Sequence, residues 1–292
     1  MDIEMNAVYL LTKVSAKPSR RVLKKAVLFA LASNKSLRIY AEDYRRSEEH
    51  TFLDFLLHSE ESSVRYDDYF MQWCDSVLEQ IEEIRAEYEL AALEVNFELL
   101  SGSNWEKQLT HQCQGYNDLF LIDYAKGVLA PQILRKLSSQ SNDILLLTEK
   151  KWSQKLKLAT AIDPLHRGDK NAEIDKAIIN RSIDIGSRLN ASTTLVYCQY
   201  VAPYLYRYSK EILSNQKLAI QEFLNLNKFY QLPLRLIEAN PEEGLPNAAI
   251  SIDASILAMG ACKRTALSRY WSGSTVDVLI ANPPCDLLLI TK

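Results

Sequence analysis

The residues best suited to chemistry lie near the end of the 292-residue sequence. Gly260 closes an apolar run, and Gly273, Ser274 and Thr275 open an amphipathic segment. A glycine lets a ligand approach the backbone closely, and a Gly-Ser-Thr step that opens a helix offers free N–H groups and a hydroxyl to an anion. The segment between them is basic and contains Lys263. This pattern predicts a loop that binds phosphate.

The elements that must position this loop are short apolar runs that alternate with longer amphipathic segments. That order is typical of parallel strands joined by crossover helices. The predicted strands are 7–14, 36–43, 95–102, 118–123 and 143–148 in the first half, and 155–163, 192–201, 234–239, 254–260 and 286–291 in the second. The closing runs DILLLT and DLLLIT are nearly the same. We therefore expect two tandem copies of one α/β domain.

Each copy is predicted to be doubly wound, with a five-stranded parallel sheet and helices on both faces. The near-continuous Leu, Ile and Val character of the strands suits a sheet that is covered on both sides. Helices are predicted over 19–33, 66–88, 171–189 and 204–230, with Ser19 and either Asp169 or Asn171 as N-caps. A charged connector places the boundary near Trp152, which gives domains 1–152 and 153–292.

The expected binding site lies at the edge where the strands of the second domain end. In open α/β sheets, ligands bind beyond the carboxyl ends of the strands at the topological switch point. That rule selects the loops after the first and fourth strands. In the second domain these loops begin at Asp163 and Gly260, so both residues are predicted to belong to the site.

Composition excludes several classes of protein. The formal net charge of −3 argues against a general nucleic-acid binder, which normally carries a basic excess. No apolar run approaches the roughly 20 residues of a membrane helix, and the first residues lack the plan of a signal peptide. The five cysteines include no C-x-x-C pair, which indicates neither a zinc site nor a disulfide framework. We expect a cytoplasmic protein.

Other candidate groups favour structural roles. His50, Asp54 and His58 would share one helix face and could ligate a metal, but their acidic neighbours favour an exposed face. His166 follows Asp163, yet no serine or cysteine is placed to complete a catalytic triad. No catalytic residue and no metal ligand are therefore predicted.

Two further groups have alternative interpretations. Cys262 stands before two basic residues that would lower the pKa of a thiol, so it could be reactive. Four tyrosines cluster after the second strand of the second domain, where they could stack on a flat ligand or pack against a helix: Tyr200, Tyr204, Tyr206 and Tyr208.

These features together resemble the universal stress protein family, in its tandem two-domain form. The resemblance covers essentially the whole chain. It rests on the duplicated five-strand order, on Asp163, on the loop that leads to Gly273 and Ser274, and on the Pro284-Cys285 step before the final strand. It implies a Rossmann-like fold similar to the adenine nucleotide alpha hydrolases.

The resemblance also implies a set of nucleotide ligands. Nucleotide-binding members carry a glycine, two residues, a second glycine, nine residues, then glycine and serine or threonine. By position this motif corresponds to Gly260, Lys263, Gly273 and Ser274. Lys263 replaces the second glycine, and its side chain could either fill the phosphate space or bind the phosphates. Similarity further implies that Asp163 contacts the nucleoside end and that Thr275 adds a backbone N–H. The implied ligand is ATP or a related phosphate compound.

The first domain departs from this pattern. Asp123 stands where the first glycine would be and would repel phosphate, and the first strand ends in Thr12-Lys13-Val14 without an aspartate. We expect a domain kept for packing, or one that binds something other than a nucleotide.

The resemblance therefore implies a cytoplasmic stress-response protein that binds and signals rather than catalyses. The alternative is a protein-interaction scaffold in which both sites are degenerate. Slow nucleotide hydrolysis is a third reading, but no general base or metal-binding carboxylate cluster supports it. The two domains are expected to pair like a homodimer of single-domain relatives, through 143–148 and 286–291, and a further homodimer could form. Neither membrane nor nucleic-acid binding is expected.

Overall fold

Two α/β units make up the chain, residues 1–149 and 150–292. The structure is a computed structural model that describes residues 7–15, 17–42, 60–100, 107, 109, 119–124, 143–166, 171–261 and 274–291. Each unit is considered separately below. The predicted boundary near Trp152 lies three residues beyond the end of the first unit.

The first unit contains five parallel strands. Its described elements are β1 (Ala7–Lys13), α1 (Arg20–Ala32), β2 (Ser36–Glu42), α2 (Glu60–Glu87), β3 (Val95–Leu100), β4 (Leu119–Asp123) and β5 (Asp143–Leu147). The strands follow the order β3-β2-β1-β4-β5, and every pair among them is parallel. Since β1 continues to β2 on one side and neighbours β4 on the other, the switch point lies between β1 and β4.

The second unit repeats this plan. Its elements are β6 (Lys157–Ala161), α3 (Glu173–Arg188), β7 (Ser192–Cys198), a 3₁₀ turn (Pro203–Tyr208), α4 (Ser209–Leu226), β8 (Leu234–Ile237), α5 (Pro241–Ile252), β9 (Ile256–Gly260), α6 (Ser274–Ala281) and β10 (Asp286–Ile290). The order is β10-β9-β6-β7-β8, all parallel. The predicted α/β fold with a duplicated five-strand order is confirmed.

Helices cover both faces of the second sheet. The crossover from β6 to β7 through α3 and the crossover from β8 back to β9 through α5 run in opposite directions across the sheet. Because such crossovers are right-handed, the two helices lie on opposite faces. Helix α3 packs against β6, β7, β9 and β10, while α5 packs against β6 and β7. All five residues of β10 are buried, and so are all five residues of β5 in the first unit.

Local signals at the helix ends were only partly predicted. Ser19 caps α1 as expected, since its Oγ accepts a hydrogen bond from the Val22 N–H at 3.2 Å. Asn171 does not cap α3, because Ala172 precedes that helix in the left-handed conformation with no side-chain cap; Asp169 lies outside the described residues. The single helix predicted over 204–230 is divided into the 3₁₀ turn and α4. No helix in the described ranges is long and apolar enough to cross a membrane.

We expect Gly244→Ala to destabilise the second unit, although alanine is more favourable than glycine inside a helix by about 1 kcal/mol. Gly244 is buried where α5 packs on β7, and an added Cβ would lie 2.8 Å from Cys198 Sγ and 3.3 Å from Ile237 Cγ2. Overpacking of this kind costs about 1–3 kcal/mol. Urea denaturation of the full chain measures the change in the free energy of unfolding.

The double variant with Cys198→Ala serves as the control, because it removes the sulfur that the new Cβ would meet. We expect Gly244→Ala to cost less in that background than in the wild type. A stabilised Gly244→Ala variant would show that the packing at Cys198 accommodates a methyl group.

Candidate functional site

The switch point of the second unit lies between β6 and β9. These strands are paired, with Thr160 opposite Ala258, and the remaining strands extend away from them on either side. The chain leaves the sheet after Ala161 in one strand and after Gly260 in the other. The predicted residues Asp163, just beyond the end of β6, and Gly260, the last residue of β9, therefore lie at the same edge of the sheet.

The backbone of Asp163 is held at both its amide and its carbonyl. Its N–H donates to Asp175 Oδ1 at 2.6 Å, and its carbonyl accepts a hydrogen bond from the His166 N–H at 3.1 Å. Asp175 lies in the first turn of α3 and is completely buried. Sequence reasoning missed this residue. Its signal was an acidic side chain directly after Ile174 at the start of the apolar stripe of α3.

Two side chains of β7, Tyr197 and Cys198, lie close enough to Asp163 for its negative charge to raise their pKa values. Burial, followed by the carboxylate of Asp163, raises the pKa of Tyr197 to about 12. The same two causes, in the same order, raise the pKa of Cys198 to about 11. Both groups therefore stay protonated at neutral pH, so neither is an activated nucleophile.

Gly260 allows close packing between strand and helix. A Cβ at this position would lie 3.0 Å from Ile178 Cδ1 and 3.4 Å from Ile174 Cγ2, both on α3. The glycine thus permits the start of α3 to approach the end of β9. The sequence predicts a second role for this glycine, which is to let a ligand approach the backbone closely. That role is separate from its packing against α3.

Helix α6 supplies the remaining described part of the predicted loop. It begins at Ser274, with Thr275 partly buried and Asp277 exposed in its first turn. Since α6 follows β9 in a parallel crossover, it starts at the carboxyl edge of the sheet. The Asp277 carboxylate occupies the helix end that would favour an anion. Lys263, Gly273 and Cys262 lie outside the described residues.

The corresponding edge of the first unit is filled by a carboxylate. Asp123 lies opposite Leu147 in the strand register, as Gly260 lies opposite Ile290 in the second unit. Asp123 is buried, and its Oδ2 accepts a hydrogen bond from the Thr12 hydroxyl at 3.0 Å. The first unit therefore has the carboxylate of Asp123 at the position where the second unit has Gly260, whose side chain is a hydrogen atom.

A buried lysine lies near the closing strand of the first unit. Lys25 on α1 is 3% exposed, and its ammonium donates to the Thr148 carbonyl at 2.9 Å. Glu42, at the end of β2, is also buried. The described strand ends of the first unit thus carry buried charged side chains, whereas β9 of the second unit ends in Gly260.

The other candidates from the sequence differ in outcome. Tyr200, Tyr204, Tyr206 and Tyr208 are 50%, 84%, 74% and 52% exposed, so packing against a neighbouring helix does not account for them. The proposed metal set His50, Asp54 and His58 lies outside the described residues. Among the residues that the structure does describe, no group of three His, Cys, Asp or Glu side chains could hold a metal ion.

Comparison with known proteins places the second unit in a family. Residues 169–291 match the sequence model of the Universal stress protein family. No curated protein sequence matches the chain.

Solved structures share the fold over nearly the whole chain. A protein of unknown function from Pseudomonas aeruginosa PAO1 has a TM-score of 0.66 at 16% identity, covering 99% of this chain and 93% of its own. A universal stress protein from Archaeoglobus fulgidus DSM 4304 has a TM-score of 0.58 at 11% identity, covering 98% and 96%. The family prediction is confirmed through the second unit. The sequence also resembles, more narrowly, the tandem member called universal stress protein E, and this resemblance stays a prediction.

Proposed function

Because residues 169–291 match the model of the Universal stress protein family, we propose that the second unit binds ATP or a related phosphate ligand. The observation that carries the proposal is the position of Asp163, just beyond the end of β6, and of Gly260, the last residue of the neighbouring strand β9. An aspartate and a glycine thus lie at the switch point, where ligands of α/β sheets bind.

Each predicted ligand has a distinct role in this proposal. Asp163 accepts hydrogen bonds from the nucleoside end. Gly260 lets the ligand approach the backbone, and the N–H groups of Ser274 and Thr275 at the start of α6 meet the phosphates. Lys263 and Gly273 belong to the connecting loop, and the lysine either contacts the phosphates or occupies their space.

We propose binding and signalling rather than catalysis. The raised pKa values of Tyr197 and Cys198 keep both groups protonated at neutral pH, so neither supplies an activated nucleophile beside Asp163. Pairing of the two units and formation of a homodimer stay predictions.

A scaffold that binds no nucleotide is the second candidate. The first unit favours it, because buried Asp123 and its Thr12 partner occupy the position that corresponds to Gly260. If the second unit were also closed, the exposed tyrosines that follow β7 would be its most distinctive surface.

Calorimetric titration of the full chain with ATP tests the proposal. We expect one nucleotide bound per chain, because among the described residues the fourth strand ends in Gly260 in the second unit and in buried Asp123 in the first. No heat up to millimolar ATP would instead support the scaffold.

The same titration of Lys263→Gly assigns the role of the lysine. Tighter binding than wild type means that the side chain blocks the site, and weaker binding means that it is a phosphate ligand. The loss of one cation–phosphate contact is expected to weaken binding about tenfold.

A further inference from the structure

The amide of Asp163 has an unusual partner for a residue that follows a β-strand. The preceding amide, on Ile162, continues the ladder by donating to the Val196 carbonyl of β7 at 3.0 Å. In a parallel strand, successive amides point to opposite sides. The Asp163 amide therefore points toward β9, where it meets the Asp175 carboxylate at 2.6 Å instead of a strand carbonyl.

Helix α3 reaches this position because Gly260 leaves room for it. Ile174 and Ile178 lie within 3.4 Å of the place that a Cβ of Gly260 would occupy. Asp175 lies between these two residues in sequence, in the first turn of α3, and is fully buried. The free N–H groups of a helix start partly offset the cost of burying a carboxylate. The two predicted ligands Asp163 and Gly260 are thus connected through one helix turn.

The described contacts of the first unit include no such connection. Asn34 and Asn190 follow α1 and α3 in the same left-handed conformation, with φ of 52° and 51°. Ser19 lies 15 residues before Asn34, as Asp175 lies 15 residues before Asn190. In its described cap contact, the Ser19 side chain accepts a hydrogen bond from the Val22 N–H, which belongs to its own helix. The long-range acceptor occurs in the unit that has an aspartate after its first strand.

We propose that Asp175 is a positioning residue that holds Asp163 for contact with the nucleoside end of the ligand. The inference rests on the proposed nucleotide site. Asp175 is buried beneath the strand end, and it acts by accepting the backbone amide of Asp163. The amide and the carbonyl of Asp163 both form hydrogen bonds, so its backbone is ordered before the ligand binds. Ligand binding therefore does not lose free energy to ordering this backbone.

The test compares ATP with inorganic tripolyphosphate as probes of the full chain, because only ATP has a nucleoside end. We expect Asp175→Ala to weaken ATP binding about tenfold, which is the typical effect of one lost hydrogen bond. Asp175→Asn retains the Oδ1 acceptor and should stay within about twofold of wild type. Tripolyphosphate affinity should be the same in all three proteins.

Two further variants separate positioning from folding. Asp175→Ser can cap α3 as Ser19 caps α1, but its side chain is one atom too short for the Asp163 amide, so it should bind ATP as weakly as the alanine variant. Ser182→Ala is the matched control, because Ser182 is a buried polar residue of the same helix whose Oγ has no partner among the described residues. It should bind ATP like wild type.

The double variant Asp163→Ala/Asp175→Ala decides the mechanism. If Asp175 acts through Asp163, the double variant binds ATP no more weakly than Asp163→Ala alone. An undiminished effect of Asp175→Ala in that background, or wild-type affinity of both Asp175→Ala and Asp175→Ser, overturns the inference while the nucleotide site stands. A wild-type chain that binds no ATP is a separate result, which overturns the proposed function together with this inference.

Discussion

Gly260→Asp is expected to weaken ATP binding by the second unit at least 100-fold. The substitution gives β9 the carboxylate that the first unit carries at Asp123, which has the same place in the strand register. A carboxylate about 4 Å from a phosphate charge costs about 4 kcal/mol at the effective dielectric constant of a protein surface, which corresponds to roughly 1000-fold. The new Cβ also meets Ile178 at 3.0 Å. Calorimetric titration with ATP measures the loss.

Gly260→Ala is the control for that experiment, because it adds the Cβ without the charge. Its nearest neighbour is the end of a flexible isoleucine side chain, so we expect the helix to adjust and the affinity to fall less than about tenfold. Unchanged circular dichroism would show that both variants are folded. If Gly260→Asp binds ATP like wild type, the phosphates do not lie at the end of β9, and the proposed site is wrong.

Thr12→Val is expected to destabilise the first unit by about 1–3 kcal/mol. Thr12 and Asp123 are 3% and 8% exposed, and valine has almost the shape of threonine but cannot donate to the Asp123 carboxylate. A buried carboxylate that loses a donor costs more than the hydrogen bond itself contributed. For a unit of this size the midpoint of thermal unfolding should fall by several degrees. Calorimetry of the full chain, with hydrogen exchange of β1 and β4, assigns the loss to the first unit.

Two variants serve as controls for this prediction. Thr12→Ser retains the hydroxyl and should lose less stability than Thr12→Val. Combining Thr12→Val with Asp123→Leu removes both polar partners, and we expect the double variant to recover part of the loss. Equal stability of Thr12→Val and wild type would mean that the hydroxyl contributes nothing to the packing of Asp123.

The fold could be predicted from the sequence to a large extent. Strands buried on both faces read as continuous apolar runs, so β5 and β10 are visible in DILLL and DLLLI. Helix α1 is visible from its apolar stripe and from the Ser19 cap. Strand ends were less predictable. Strand β6 ends at Ala161 rather than at Asp163, because the Asp163 amide leaves the sheet for Asp175.

The site could be predicted only in part. The loops after β6 and β9 follow from their order along the chain, which is a property of sequence. The role of Asp175 does not, because its partner lies 12 residues away and meets it only through the packing of α3. The packing role of Gly260 cannot be predicted from the sequence either, since only the tertiary structure brings Ile174 and Ile178 against it.

The sequence by itself determined the duplicated α/β plan, the second-unit candidates Asp163 and Gly260, and the loss of that glycine at Asp123. These features depend on residue type and order alone. The hydrophobic pattern predicts the strands, and the order of the elements along the chain predicts which loops follow them. Only the tertiary structure decided that α3 reaches the strand end and holds Asp163, and that Thr12 binds Asp123. Those contacts join residues that are far apart along the chain, and their distances depend on how helix and sheet pack.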